Sequence, residues 1–421
     1  MGVMRRLARE RAGDDLRVAL IGAGFVGRNL VYQLDFTPGM RPALIVNRTP
    51  ANAVDAYRRA GYSLDDIVVS DDVKVLSDSI QAGKPTVTYS LEALCQLEEI
   101  EIVMEVTGSN EYGAVAIRAA LEAGKDVVSM NAESDATVGY LLKDTAEKNG
   151  AVYTIADGDQ PGVLARLIEF VEGAGFELVT AVNCKGFMDV HATPESIKEW
   201  SVSQGTSLPM TTSFTDGTKM NIENAVVANA FHLLPEKRGM HGVRTELATV
   251  TADMTAALNG HGSVDYTLGG DFAGGVFVIG YNESPDLVQP ALKFLKMGDG
   301  PYYTFYRPYH LVHIEVPVSI AEVYLYREPT IVTAGPFVAD TVALAKKDLE
   351  PGDVLDGFGG WTVYGEIDRI ENTEGLLPIG LAEHARIVKP VAMDAPITLD
   401  DVELDEERPL VKMRREQDAL S

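Results

Sequence analysis

Up to about residue 160 the chain alternates two textures. Apolar runs of strand length (RVALIGA, PALIVN, EIVMEVTG, KDVVSMN, AVYTIA) are separated by stretches with helical spacing such as GAVAIRAALEAG and TVGYLLKDTAEKNG. That alternation predicts crossover units, hence a parallel sheet with helices on both faces. From about 161 to 328, helical patterns mix with runs such as FELVTAVNC, GGVFVIGY and LVHIEVPV, read as strands, which predicts an α+β domain. Beyond it, short β-like runs cut by turns, as in KKDLEPGDVLDGFGGWTVYG, predict a small β-rich domain. The expected fold is therefore α/β: a doubly wound parallel sheet over 1–160, an α+β domain over 161–328 and a β-rich domain over 329–421. A chain of 421 residues exceeds what one hydrophobic core usually supports, which agrees with several domains.

The first apolar run ends in Gly22, Gly24 and Gly27, a G-x-G-x-x-G series with Phe25 and Val26 between the last two, and a helical pattern follows. Loops generate such spacing often. Placed after a strand and before a helix, it predicts a dinucleotide site: a tight turn, close approach of backbone to a diphosphate, and close helix–strand packing. The diphosphate would sit on the amide groups and positive dipole end of that helix. The second strand ends in Asn47 and Arg48, where an acidic side chain would instead favour the ribose hydroxyls of NAD. Arginine can pair with a 2′-phosphate, so NADP is expected over NAD. The alternative for Arg48 is a solvated loop residue.

At the ends of later strands stand Thr107 and Gly108 in EVTGSN, and Asn131 in VVSMN, where cofactor and substrate meet in a doubly wound sheet. Asn131 could bond the cofactor or cap the following helix, a role also open to Asp135. Asp157 and Asp159 could hold a divalent ion with Glu133, but capping of the helix after Pro161 is the favoured reading. His310 and His313, near Arg307, lack carboxylates at ligand spacing, so aromatic packing on a strand or dimer surface is preferred and no metal site is assigned.

Composition narrows the partners. With 36 Lys and Arg against 62 Asp and Glu, the formal charge is −26, which argues against nucleic-acid binding. No run approaches the roughly 20 apolar residues of a membrane span. The N-terminal MGVMRRLARERAGDD has no apolar stretch behind its arginines, and two cysteines make no disulfide framework. A cytoplasmic location is expected.

The order GAGFVG, EVTGSN, VVSMN, KGFMD and SFTDGTK resembles the homoserine dehydrogenase-like oxidoreductases. The resemblance spans essentially the whole chain. It is closest to the branch with a C-terminal SAF-type domain, which includes reductoisomerase-like enzymes able to make 2-C-methyl-erythritol 4-phosphate from deoxyxylulose phosphate. CKGFMDVHATPESIKEW and SLPMTTSFTDGTKMNIENAVVANA are its more distinctive segments, and paired β runs in KKDLEPGDVLD and KPVAMDAPITLDDVEL resemble the two halves of a SAF-type β-clip. What the resemblance implies is a homodimeric, nicotinamide-dependent dehydrogenase or reductase, with an active site between the first two domains and a small-molecule substrate.

The chain departs from homoserine dehydrogenases at two points. Ala132 stands where they usually carry a lysine after the asparagine, and Val190, His191, Ala192 and Thr193 stand where they carry Gly-Thr-Thr-Asn-Tyr. Both departures point away from homoserine itself. The basic group is then expected from Lys219, which matches the family's aspartate-then-lysine segment with Asp216 before it, or from Lys185 at the end of ELVTAVNCK. A lysine beside a carbonyl can protonate the developing alkoxide or hold a phosphate. His191 ranks behind them as an acid, base or phosphate ligand. The expected function is NADP-dependent oxidation or reduction of a small polar carbonyl or hydroxyl compound, phosphorylated ones included, with the deoxyxylulose phosphate reductoisomerase reaction as one case. That reaction depends on a divalent metal in its better-known enzymes, and no residues are assigned to hold one. The alternatives are an amino-alcohol dehydrogenase of the homoserine type, or a non-catalytic dinucleotide-binding regulatory protein.

Overall fold

Leu16–Ile21, buried along nearly its whole length, forms the central strand β1. In the computed structural model, which describes residues 2–420, β1 is flanked by β2 (Met40–Val46) and β5 (Ile102–Glu105). The sheet is completed by β3 (Val68–Val69), β4 (Thr86–Thr88), β6 (Asp126–Ser129) and β7 (Tyr153–Ile155), in the order β3-β4-β2-β1-β5-β6-β7. Every pairing is parallel. The strand order reverses between β1 and β5, so their carboxyl ends form the switch point where such sheets bind ligands. All five expected strands are present. The two others, β3 and β4, have two and three residues, too short for a periodicity to reveal.

The chain folds as two compact units, 1–159 with 311–332, and 160–310 with 333–421. This differs in two places from the three consecutive stretches read in the sequence. LVHIEVPV is not a strand: it opens the helix Val312–Tyr326, whose Val316, Ile320, Ala321 and Val323 join the core of the first unit. An unbroken apolar run looks alike in a buried helix and a buried strand. The second difference is that the C-terminal stretch shares its unit with 160–310.

The second unit holds the mixed sheet β12-β11-β8-β10-β9, made of β8 (Glu177–Lys185), β9 (Val243–Arg244), β10 (Ser263–Leu268), β11 (Val276–Tyr281) and β12 (Tyr302–Arg307). The helix Val250–Ala257 contributes Val250 and Met254 to a cluster with Val182, Cys184 and Phe277 of this sheet. The helices Gln160–Gly173 and Thr218–Phe231 pack against the sheet and against each other. In the C-terminal stretch β13 (Ala339–Ala345) pairs antiparallel with β14 (Val363–Arg369), followed by short bridged segments and the helix Pro409–Asp418. Thr218–Phe231 is buried from Thr218 through Asn229, between the sheet and the β13–β14 pair. Among the described residues no helix is long and apolar enough to cross a membrane.

Candidate active site

In the first unit the three glycines divide the work of the turn. Gly22 has φ +111°, and a Cβ there would come within 2.9 Å of the Val106 carbonyl oxygen. A Cβ on Gly27 would lie 2.3 Å from the Gly22 carbonyl oxygen, so only glycine lets the helix Phe25–Phe36 pack this close to β1. Gly24 is different: it is exposed, sits at the N-cap, and a Cβ on it would meet nothing within 4 Å. No side chain caps this helix. Its first amide groups and an unobstructed backbone at Gly24 fit a bridging diphosphate.

Asn47 fixes the turn from β2. Its Oδ1 accepts from the Ala23 amide at 3.0 Å, while its Nδ2 donates to the Thr49 carbonyl at 2.7 Å. Arg48 is exposed, with no ion pair or side-chain hydrogen bond among the described residues. Phe25 is about half exposed and Val26 is half-buried. Phe25, Arg28, Tyr32, Arg59 and His313 are among the residues lining a cleft of about 420 Å³.

At the carboxyl edge of β5 a carboxylate absent from the sequence reading organises the surroundings. Glu105 is fully buried. It accepts from the Thr107 amide (2.8 Å) and hydroxyl (2.5 Å) and from the Ser129 hydroxyl (3.0 Å). Burial pushes its carboxyl above the usual range, and these bonds pull back toward the charged form. Thr107 is thereby tied down, and Gly108 has φ +66°. Asn131 caps the helix Ala132–Lys148, accepting from the Ser134 amide at 3.1 Å and donating to the Ser109 carbonyl at 3.0 Å. Asp135 does not cap; it lies buried with Oδ1 lacking a hydrogen-bond partner. A lone acidic residue ending an apolar run, IVMEV, was the available signal for Glu105.

In the second unit the positive φ of Gly217, +84°, turns the chain into the helix Thr218–Phe231. Lys219, only 5% exposed, places its Nζ 3.9 Å from Oε1 of Glu223, one turn further along. Lys185, the last residue of β8, holds its Nζ 5.7 Å from the centroid of the Phe214 ring. Asn183 and Asn224 are buried, and both polar atoms of each amide lack a hydrogen-bond partner. Neither Glu223 nor these amides is singled out by the sequence, because a polar residue inside an apolar helix or strand carries no positional signature.

Two other candidates point elsewhere. Asp216 is buried; its Oδ2 accepts from Lys346 Nζ at 2.7 Å and its Oδ1 from the Thr218 amide at 2.8 Å. The Lys346 ammonium also donates to the carbonyls of Ala192 (2.7 Å) and Gly360 (2.9 Å), so the pair fastens the C-terminal stretch. His191 is partly exposed, with Nε2 2.7 Å from Oδ1 of Asp394. Among the described residues no group of three or more His, Cys, Asp or Glu is arranged to hold a metal ion, so Glu133, Asp157 and Asp159 form no such cluster.

Residues 22–155 match the family model for the homoserine dehydrogenase NAD-binding domain, and residues 158–316 match that for the catalytic domain of oxidoreductase DRL. Both matches are to oxidoreductase families, and the chain is an NAD(P)-dependent oxidoreductase. Its glycine turn and the sheet behind it are thus an NAD(P)-binding domain, while Lys185, Lys219 and Glu223 fall inside the catalytic-domain match. Among solved structures, 1-deoxy-D-xylulose 5-phosphate reductoisomerase from Zymomonas mobilis in complex with NADPH is similar at 18% identity, over 51% of this chain and 57% of that one, with a TM-score of 0.34. A DOX-P reductoisomerase in complex with magnesium gives 15%, 51%, 56% and 0.34 for the same quantities. A levoglucosan dehydrogenase complexed with NADH and levoglucosan gives 16%, 64%, 65% and 0.34. The matched region is little more than half the length of the two reductoisomerase chains. No curated protein matches the chain significantly.

Proposed function

We propose that the protein is an NADP-dependent oxidoreductase that interconverts a carbonyl and a hydroxyl group on a small polar substrate. The observation that carries this reading is the pairing of an open glycine turn at an uncapped helix start with the unengaged Arg48 guanidinium at the end of β2. Arginine there suits a 2′-phosphate, for which it offers paired donors of the right geometry. The amide groups of Phe25 and Val26 would hold the diphosphate, and Asn47 would keep the turn in shape.

When bound, the nicotinamide supplies or accepts a hydride at the substrate carbon. The protein's own part is proton transfer. In the reducing direction the substrate oxygen gains charge and takes a proton from the Lys219 ammonium; oxidation is the reverse. Glu223 holds the ammonium by charge, and Lys185 adds a second cation that favours a charged substrate oxygen. The orphaned amides of Asn183 and Asn224 offer both donors and acceptors, which suits a substrate rich in hydroxyl or carbonyl oxygens.

The family likeness favours reductoisomerase chemistry on deoxyxylulose phosphate as a specific case; a homodimeric, cytoplasmic enzyme is part of the same proposal. The deciding experiment is a panel of phosphorylated ketoses, aldonates and amino alcohols, followed by absorbance of the reduced cofactor. Turnover of one class with NADPH is the expected result. A protein that binds neither coenzyme in calorimetry would overturn the whole reading.

A further inference from the structure

The sequence leaves the C-terminal stretch without a role, and both family matches end before it. Its strands nevertheless meet the helix that carries Lys219 at three residues. The Gly365 amide of β14 donates to the Thr218 hydroxyl at 2.9 Å, and the Ile367 amide donates to Asn221 Oδ1 at 3.0 Å. Asn229 Oδ1 accepts from the amides of Val338 (2.8 Å) and Ala339 (3.1 Å), and its Nδ2 donates to the Ala339 carbonyl at 3.1 Å. Thr341 of β13 adds a hydroxyl bond to the Asn221 carbonyl at 3.4 Å.

These bonds have one geometric logic. Gly365 and Ile367 are alternate residues on one edge of β14, whose amide groups would otherwise be left without a ladder partner. Thr218, Asn221 and Asn229 lie within roughly 80° of one another around the helix at 100° per residue, whereas Lys219 and Glu223 fall roughly 100° and 140° around from Thr218. Close approach is possible because Gly365 has no side chain: a Cβ there would lie 2.9 Å from Cγ2 of Thr341 and 3.1 Å from Cγ2 of Thr218. Just before the helix, the Asp216–Lys346 pair fastens the same elements together.

We propose that the C-terminal strands set the rotation of this helix and so place the Lys219 ammonium, with Thr218, Asn221 and Asn229 as positioning residues. The inference rests on the reading of Lys219 as the proton donor. A side chain reaches about 6 Å from a helix axis, so a turn of about 10° moves its end by about 1 Å. A misplacement of about 1 Å can lower a rate about a hundredfold. A strand edge gripping one face of the helix removes that freedom.

The test uses the full chain and needs no substrate. Thr218→Val keeps the shape and removes the acceptor, Thr218→Ala removes it with less bulk, and Thr218→Ser retains it. The reactivity of individual lysines toward acetic anhydride is followed against pH by peptide mass spectrometry, with exposed Lys74 as reference. The Val and Ala variants should move the midpoint of the Lys219 profile by about half a unit or more, with Lys74 unmoved and the Ser variant restoring the parent curve. The Ala variant carries the test alone if the Val variant does not fold. An unmoved Lys219 profile, or a shift that serine does not reverse, overturns the proposal. Inactivity of Lys219 in catalysis would appear separately, as unchanged turnover in Lys219→Ala.

Discussion

Lys219 and Glu223 form a buried pair, Nζ to Oε1 3.9 Å, on a helix whose every residue from Thr218 to Asn229 is buried. Burying two opposite charges is costly unless each answers the other, and here they do so within the segment matched by the DRL catalytic domain. Lys219→Ala should therefore lower turnover by about a hundredfold or more, the scale of a positioned acid, while leaving NADPH affinity nearly intact. Steady-state rates and calorimetry on the same preparation measure both. Full activity in the variant would remove Lys219 from the mechanism.

Arg48 should set coenzyme choice. Titrations of the parent are expected to favour NADPH over NADH, and Arg48→Ala should erase the difference by weakening NADPH alone. Equal affinities in the parent would refute the assignment.

Asp216 and Lys346 test the difference between a structural and a catalytic carboxylate. Both side chains are almost wholly buried, and Lys346 reaches two carbonyls besides Asp216. Lys346→Met should leave the carboxylate buried and uncompensated, destabilising the chain by about 3–5 kcal/mol. The Asp216→Asn, Lys346→Met double variant should lose less than the two single losses combined. Denaturant melts of the three variants provide the comparison, and strict additivity would contradict the pairing.

Asp135 gives stability a pH dependence of definite sign. Burial pushes its carboxyl up from an ordinary value of 3.8 to about 7, and the nearby Tyr153 hydroxyl offsets this only in part. The folded chain therefore holds this proton more tightly than the unfolded chain does. Its contribution is fully present below pH 3.8 and is lost as pH rises to about 7. The loss is at most about 4 kcal/mol across that window. Asp135→Asn should flatten the fall in melting temperature between about pH 5 and about pH 7, the upper part of that window. An unchanged slope would show that another group carries it.

Deoxyxylulose phosphate is the sharpest substrate test. The reductoisomerase reading expects it to drive NADPH oxidation in the presence of magnesium or manganese. Absence of oxidation with or without either metal would sink that case and leave the broader oxidoreductase reading standing.

The local order of residues determined the dinucleotide half. A strand, a glycine turn and a helix are adjacent in the chain, and the close approach of Gly27 to the Gly22 carbonyl spans only five positions, so the turn and the tight helix packing could be read before any fold was known. The sequence allows Asn131 either a cofactor bond or a helix cap; in the tertiary structure its Oδ1 accepts from the Ser134 amide as the cap and its Nδ2 donates to the Ser109 carbonyl. The other half depended on the three-dimensional fold. Glu223 beside Lys219, Lys346 beside Asp216, the unsatisfied amides of Asn183 and Asn224, and the grip of β14 on the Thr218 helix all depend on burial or on residues up to 147 positions apart. A charged or amide side chain looks the same in sequence whether water or another side chain answers it; only packing decides which. For the same reason LVHIEVPV read as a strand, and became a helix because the core of the first unit had a face for it to cover.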